Sequence, residues 1–236
     1  MEDELKGVQT FNEGVKACVP TIMGYLGIGI AMGIVGKAIG LSVWQVFLMS
    51  LIVYAGSAQF IICGLIAISA PIPSIIFTVF LVNLRHFLMS LSVANHFKKD
   101  SLLNGIGIGT LLTDESYGVL MATLAQKPAV SSRWTHGLNI TAYLTWILAT
   151  VIGALLGNFI PDPNVLGLDF ALTAMFLGLF LFQVQLPLKF QKSKTVIILL
   201  VTAFSLYLLM RVVSAELAVI ISTLLGCTIG VVIKDE

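Results

Sequence analysis

The stretch from Ala38 to Leu84, AIGLSVWQVFLMSLIVYAGSAQFIICGLIAISAPIPSIIFTVFLVNL, contains no charged residue. One helix needs about 20 apolar residues to cross a hydrocarbon core of about 30 Å, so this run is too long for a single crossing. Pro71 and Pro73, on either side of Ile72, divide it, because proline breaks a helix interior. The run therefore reads as two membrane segments, 42–69 and 74–95. The first of these is itself longer than one straight span needs.

The rest of the chain extends the same pattern. Twenty uncharged residues separate Lys16 from Lys37, giving a segment at 17–36. Further apolar runs fall at 102–126, 134–158, 168–187, 195–211 and 215–233. Continuously apolar runs exclude a transmembrane barrel, whose strands alternate over about 10 residues. Composition agrees: 58% of the 236 residues are hydrophobic and 11% charged, against about 25% charged in soluble domains. The same balance excludes disorder. The expected fold is an all-α, polytopic integral membrane protein of seven or eight segments, forming one transmembrane domain over 1–236.

The N-terminal region adds an amphipathic element. Leu5, Val8, Phe11 and Val15 recur at near-helical spacing, so residues 1–16 read as an interfacial segment. The acidic start, Met-Glu-Asp-Glu-Leu-Lys, is unlike the basic n-region of a signal peptide. A net charge of +1 gives no reason to expect a nucleic-acid partner. Cys18, Cys63 and Cys227 have neither disulfide nor metal-ligand spacing and read as small apolar residues.

Orientation is in conflict. Lys98 and Lys99 follow the third segment, and Lys189, Lys192 and Lys194 follow the sixth. Both clusters belong in the cytoplasm by the positive-inside rule, yet an odd number of segments separates them. One segment between them then fails to cross, and 102–126 is the candidate because Asp114 and Glu115 lie in its middle. Glycines cluster in the first segment (Gly24, Gly27, Gly29, Gly33) and the fourth (Gly105, Gly107, Gly109). That placement fits either a three-segment inverted repeat or close helix packing, as at Gly29/Gly33, Gly153/Gly157 and Gly226/Gly230.

Three places put polar groups where lipid should be. In Tyr54-Ala55-Gly56-Ser57-Ala58-Gln59, small and polar residues interrupt an aliphatic run. Unwinding at Gly56 would expose N–H groups to a substrate carboxylate; an intact helix with Ser57 and Gln59 bonded to neighbours is the alternative. In the next segment, Asn83, His86 and Ser90 share one helix face, beside Arg85. An arginine this deep costs at least about 2.5 kcal/mol and needs a partner. The third place is Thr113-Asp114-Glu115. Adjacent helical residues point about 100° apart, so both carboxylates line one cavity only if the backbone breaks there.

The candidate substrate-binding residues are thus Tyr54, Gly56, Ser57, Gln59, Asn83, Arg85 and His86. Asp114, Glu115 and His86 can each change charge and are the candidates for proton coupling. Asp114 is preferred as the switching acid, provided that it pairs with Arg85, and Glu115 as a structural residue. No nucleotide-binding, metal-binding or hydrolase motif is found, so no cofactor, metal or catalytic residue is expected. A passive channel for a small solute or ion is the runner-up, although the polar residues form isolated patches rather than a continuous stripe.

These blocks carry a resemblance. Val53–Phe60, Leu81–His86, Leu112–Tyr117 and Pro161–Phe170, in this order, resemble the AzlC-type branched-chain amino acid permeases. The resemblance implies a multi-pass exporter of leucine, isoleucine, valine and close analogues in the bacterial inner membrane. It also implies a second, much smaller membrane subunit of the AzlD type as partner.

Overall fold

The computed structural model describes residues 9–127, 129–160, 170–213 and 215–233. Their regular structure is all helical, in the order α1 (Phe11–Ala17), α2 (Val19–Ala38), α3 (Val43–Ile52), α4 (Gly56–Ala67), α5 (Ile72–Ala94), α6 (Leu102–Thr110), α7 (Asp114–Leu124), α8 (Ser132–Leu156), α9 (Ala171–Phe190), α10 (Lys192–Leu209) and α11 (Ala215–Val232). Short 3-10 turns follow α5 and α8. Among the described residues, four helical stretches are long and apolar enough to cross a membrane: Val19–Ala38, Ile72–Phe97, Ser132–Phe159 and Lys192–Leu209. The chain is a multi-pass helical membrane protein.

Two expected segments are each a pair of half-helices. The segment 42–69 is α3 and α4, interrupted at Val53–Ala55; the segment 102–126 is α6 and α7, interrupted at Leu111–Thr113. The second interruption moves Asp114 and Glu115 from the expected mid-helix position to the first turn of α7. The interruptions fall in the second and fourth segments, so they do not trace the repeat suggested by the glycine clusters in the first and fourth. Of the amphipathic N-terminal segment, residues 1–8 lie outside the described residues. Its remainder forms α1, capped by a reciprocal Thr10–Glu13 box and docked on α8.

The chain divides into two compact units, 1–175 and 176–236. In the first, α8 is the axis, with α1, α2, α3, α6 and α7 packed against it. Small residues make this possible. A Cβ on Gly33 would collide with the Thr150 carbonyl, and one on Gly153 with the Ile30 carbonyl. Without a hydrophobic force between helices in lipid, such close backbone contact supplies the association energy. In the second unit, α10 and α11 pack with Gly226 against Thr202 and Gly230 against Ile198.

A buried polar chain locks the interior of the first unit. The Trp146 indole donates to Gln59 Oε1 (2.6 Å), Gln59 Nε2 donates to Ser50 (2.9 Å), and Ser50 shares a hydrogen bond with Thr150 (2.8 Å). Gln59, Ser50 and Thr150 are fully buried. Every link joins α3 or α4 to another helix, so the chain holds both halves of the interrupted segment against α8. Satisfied networks of this kind specify one packing.

Candidate functional site

The first interruption is a built feature. Tyr54 has φ 40°, a left-handed conformation that costs a bulky residue on the order of 1–3 kcal/mol. The surroundings hold it there. The Tyr54 ring meets Tyr143 of α8 edge-on at 4.7 Å, and the Tyr143 hydroxyl donates to the Leu51 carbonyl at 2.7 Å, near the end of α3. Gly56 then starts α4 against the Trp146 ring, which a Cβ would approach to 2.8 Å. Ala55 offers no side-chain cap to α4, so the amides of its first turn are free of side-chain partners.

The second interruption is capped differently. Thr113 caps α7 through a reciprocal box with Ser116. Asp114 and Glu115 occupy the first turn, where the positive end of the helix dipole favours carboxylates. The break turns both acids toward the interior of the first unit. Asp114 pairs with Arg85 of α5 (3.0 Å). Glu115 accepts from the Tyr25 hydroxyl of α2 (2.9 Å), which also shares a hydrogen bond with Thr113 (2.7 Å). Tyr25 in turn meets Trp146 edge-on at 5.0 Å.

α5 joins the two interruptions. Arg85 lies near the middle of the Ile72–Phe97 span, roughly 20 Å from either end at helical rise. It is too deep to reach water by snorkelling. The same guanidinium nitrogen that pairs with Asp114 donates to Ser57 Oγ at 2.6 Å. One residue further, His86 Nδ1 lies 3.0 Å from the Leu112 carbonyl. A carbonyl only accepts, so Nδ1 carries the proton and Nε2 is left as an acceptor in the neutral ring. Ser90 donates toward the His86 and Gly109 carbonyls.

Beside this junction lies a cavity of about 740 Å³. It starts at Val53–Ala55, passes Asn83, His86 and Ser90, and ends at Lys98, Asp100 and Ser101, where α5 gives way to α6. Most of its wall is apolar. Asn83 Oδ1 and His86 Nε2 are buried without a hydrogen-bond partner, whereas the buried Tyr54 hydroxyl interacts with Tyr25 and Thr113.

The expected site residues therefore separate into groups. Ser57, Arg85, His86 and Asp114 meet at the junction, and Tyr54, Asn83 and His86 line the cavity. Gln59 stands apart, with its amide engaged by Ser50, Trp146 and Met32. Tyr25 and Asn139 were not anticipated. Asn139 donates to the Ile108 carbonyl (3.2 Å), next to the second interruption, and its Oδ1 has no partner. Its signal was available as an isolated asparagine in an apolar segment; that of Tyr25 was a hydroxyl within a glycine-rich one.

Comparison with known proteins agrees with this architecture. The AzlC protein family model matches residues 20–160, which include both interruptions and α5. An uncharacterised membrane protein of Haemophilus influenzae is 34% identical over 172 residues, 69% of this chain and 66% of the relative. The inner membrane protein YgaZ of Escherichia coli is 29% identical over 188 residues, 76% of this chain and 75% of the relative. The branched-chain amino acid transport protein AzlC of Bacillus subtilis is 28% identical over 180 residues, 73% of this chain and 67% of the relative. No solved structure matches the chain. With well over half of its length matched by the family model, the chain belongs to the AzlC family.

Proposed function

We propose that this chain is a secondary transporter that exports leucine, isoleucine, valine and close analogues across the bacterial inner membrane. The observation that carries this reading is Arg85, which bonds to Ser57 at one interruption and to Asp114 at the other. A mid-membrane cation held between two broken helices is the arrangement in which transporters bind and release polar substrates. The name of the Bacillus subtilis relative supplies the substrate class.

The chemistry suits a zwitterion with an aliphatic tail. Its carboxylate meets the free amides at the start of α4 and the Arg85 guanidinium beside Ser57. Its side chain occupies an apolar space, where one methylene is worth only about 1–3 kcal/mol, so selectivity among the three amino acids is modest. The cavity ends at Lys98, Asp100 and Ser101. With Lys98 and Lys99 cytoplasmic by the positive-inside rule, an exporter loads from that end.

The transport step draws on the proton gradient. Protonation of Asp114 removes its attraction for Arg85 and frees the guanidinium, which loosens the tie between the two interruptions. Inward proton movement then accompanies outward movement of substrate. A small AzlD-type membrane subunit completes the transporter.

Counterflow of labelled valine tests the reading. Proteoliposomes with the chain and its small partner, preloaded with unlabelled valine, accumulate label transiently. Uptake no faster than in empty liposomes rejects the assignment.

A further inference from the structure

We infer that the cavity beside the first interruption binds the ammonium end and aliphatic chain of an amino acid, with Asn83 and His86 as the ammonium acceptors. The inference rests on the proposed transport of aliphatic amino acids and assigns that substrate a place and an orientation.

Three observations meet in this cavity. The first is the chemistry of its unpartnered atoms. Asn83 Oδ1 is an acceptor, and His86 Nε2 is one because Nδ1 spends its proton on the Leu112 carbonyl. A buried polar atom without a partner is costly, so two such acceptors one helical turn apart call for a ligand. What they lack is a donor, and an ammonium group brings three.

The second observation is shape. Asn83 and His86 are one helical turn apart on α5 and face the cavity together. From them the wall continues along Phe87, Val93 and Phe97 of α5 and its 3-10 turn, facing Ile106 and Ile108 of α6. This places the tail between α5 and α6. A volume of about 740 Å³ lies within the usual range of small-molecule sites, about 300–1,000 Å³.

The third is the position of the carboxylate site. Ala55 both lines the cavity and precedes the uncapped first turn of α4. An amino acid with its ammonium at Asn83 and His86 can therefore turn its carboxylate to those amides without leaving the cavity. Tyr54, held at φ 40°, lines the cavity next to Ala55.

Binding of three compounds to the complete transporter tests the inference: leucine, 3-methylbutylamine (the same tail with an ammonium and no carboxylate) and 4-methyl-2-oxopentanoate (a carboxylate and no ammonium). The parent binds leucine and the amine and discriminates against the keto acid. Asn83→Leu and His86→Phe each weaken leucine and the amine by roughly tenfold, the worth of one hydrogen bond to a charged group. Asn83→Asp tightens the amine, a gain that a purely structural asparagine does not give. Leucine binding that is unaltered in all three variants, or a keto acid bound as well as leucine, overturns this pocket while leaving the transport reading intact. Amine binding without leucine binding supports the pocket and rejects that reading. If none of the three binds the parent, both fall.

Discussion

Arg85 of α5 and Asp114 of α7 pair at 3.0 Å, and the same guanidinium nitrogen donates to Ser57 of α4 at 2.6 Å. One cation therefore ties together two helix interruptions that lie far apart in the chain. The Arg85 side chain is 27% exposed and that of Asp114 7%, so the arginine is the partner with room to exchange. In the proposed transporter, a substrate carboxylate competes for Arg85 while Asp114 stays beside it.

Asp114→Asn keeps the shape and removes the charge. The expected outcome is loss of valine accumulation driven by an acid vesicle interior, with counterflow partly retained because exchange needs no net proton movement. Parallel assays of the two modes on one preparation measure the split. Gradient-driven accumulation equal to the parent's removes Asp114 from coupling.

The pair also has a folding role. Removing one member of a buried ion pair costs roughly 3–5 kcal/mol, because the other charge is left uncompensated. Arg85→Gln alone should therefore lower thermal stability in detergent markedly. Combining it with Asp114→Asn should restore much of that stability without restoring transport. A double variant no more stable than the single ones shows that the two do not act as a pair.

Gln59 belongs to the scaffold by its contacts. Gln59→Leu strands the Trp146 indole, at about 1–3 kcal/mol for a buried donor left unpaired, and removes one of two partners from Ser50, which keeps Thr150. It should lower the melting temperature while the ratio of leucine to valine transport stays as in the parent. A changed ratio in a protein of parental stability places Gln59 at the substrate instead.

Glycines divide by what faces them. Gly33→Ala drives a methyl into the Thr150 carbonyl and should destabilise the α2–α8 contact. Gly24→Ala meets nothing within 4 Å and should be neutral or gain up to about 1 kcal/mol of helix propensity. Thermal melts of the two variants in one detergent check both signs.

Much of this was legible in the sequence for identifiable physical reasons. An overlong apolar run holding Ala55, Gly56 and Ser57 signals a weak point in a helix, and the interruption falls beside them. A mid-span arginine and an intramembrane aspartate each need a partner, and they meet. The second interruption was harder to see because Leu111 and Leu112 continue the apolar run. Its signal is a cap pattern, Thr113 ahead of two acids and Ser116, which marks a helix start. Contacts such as Tyr25 to Glu115 depend on how α2 meets α7, and no local pattern encodes that. The expected block at Pro161–Phe170 falls, apart from Phe170, outside the described residues.

On the proposed reading Arg85 sits where the amino acid binds, and valine counterflow in proteoliposomes containing the chain and the proposed AzlD-type subunit puts that to the test. The parent should exchange labelled valine well above empty vesicles, Arg85→Lys should retain a fraction of that rate, and Arg85→Gln should fall to background. Arg85→Gln protein that exchanges valine as fast as the parent would contradict the claim.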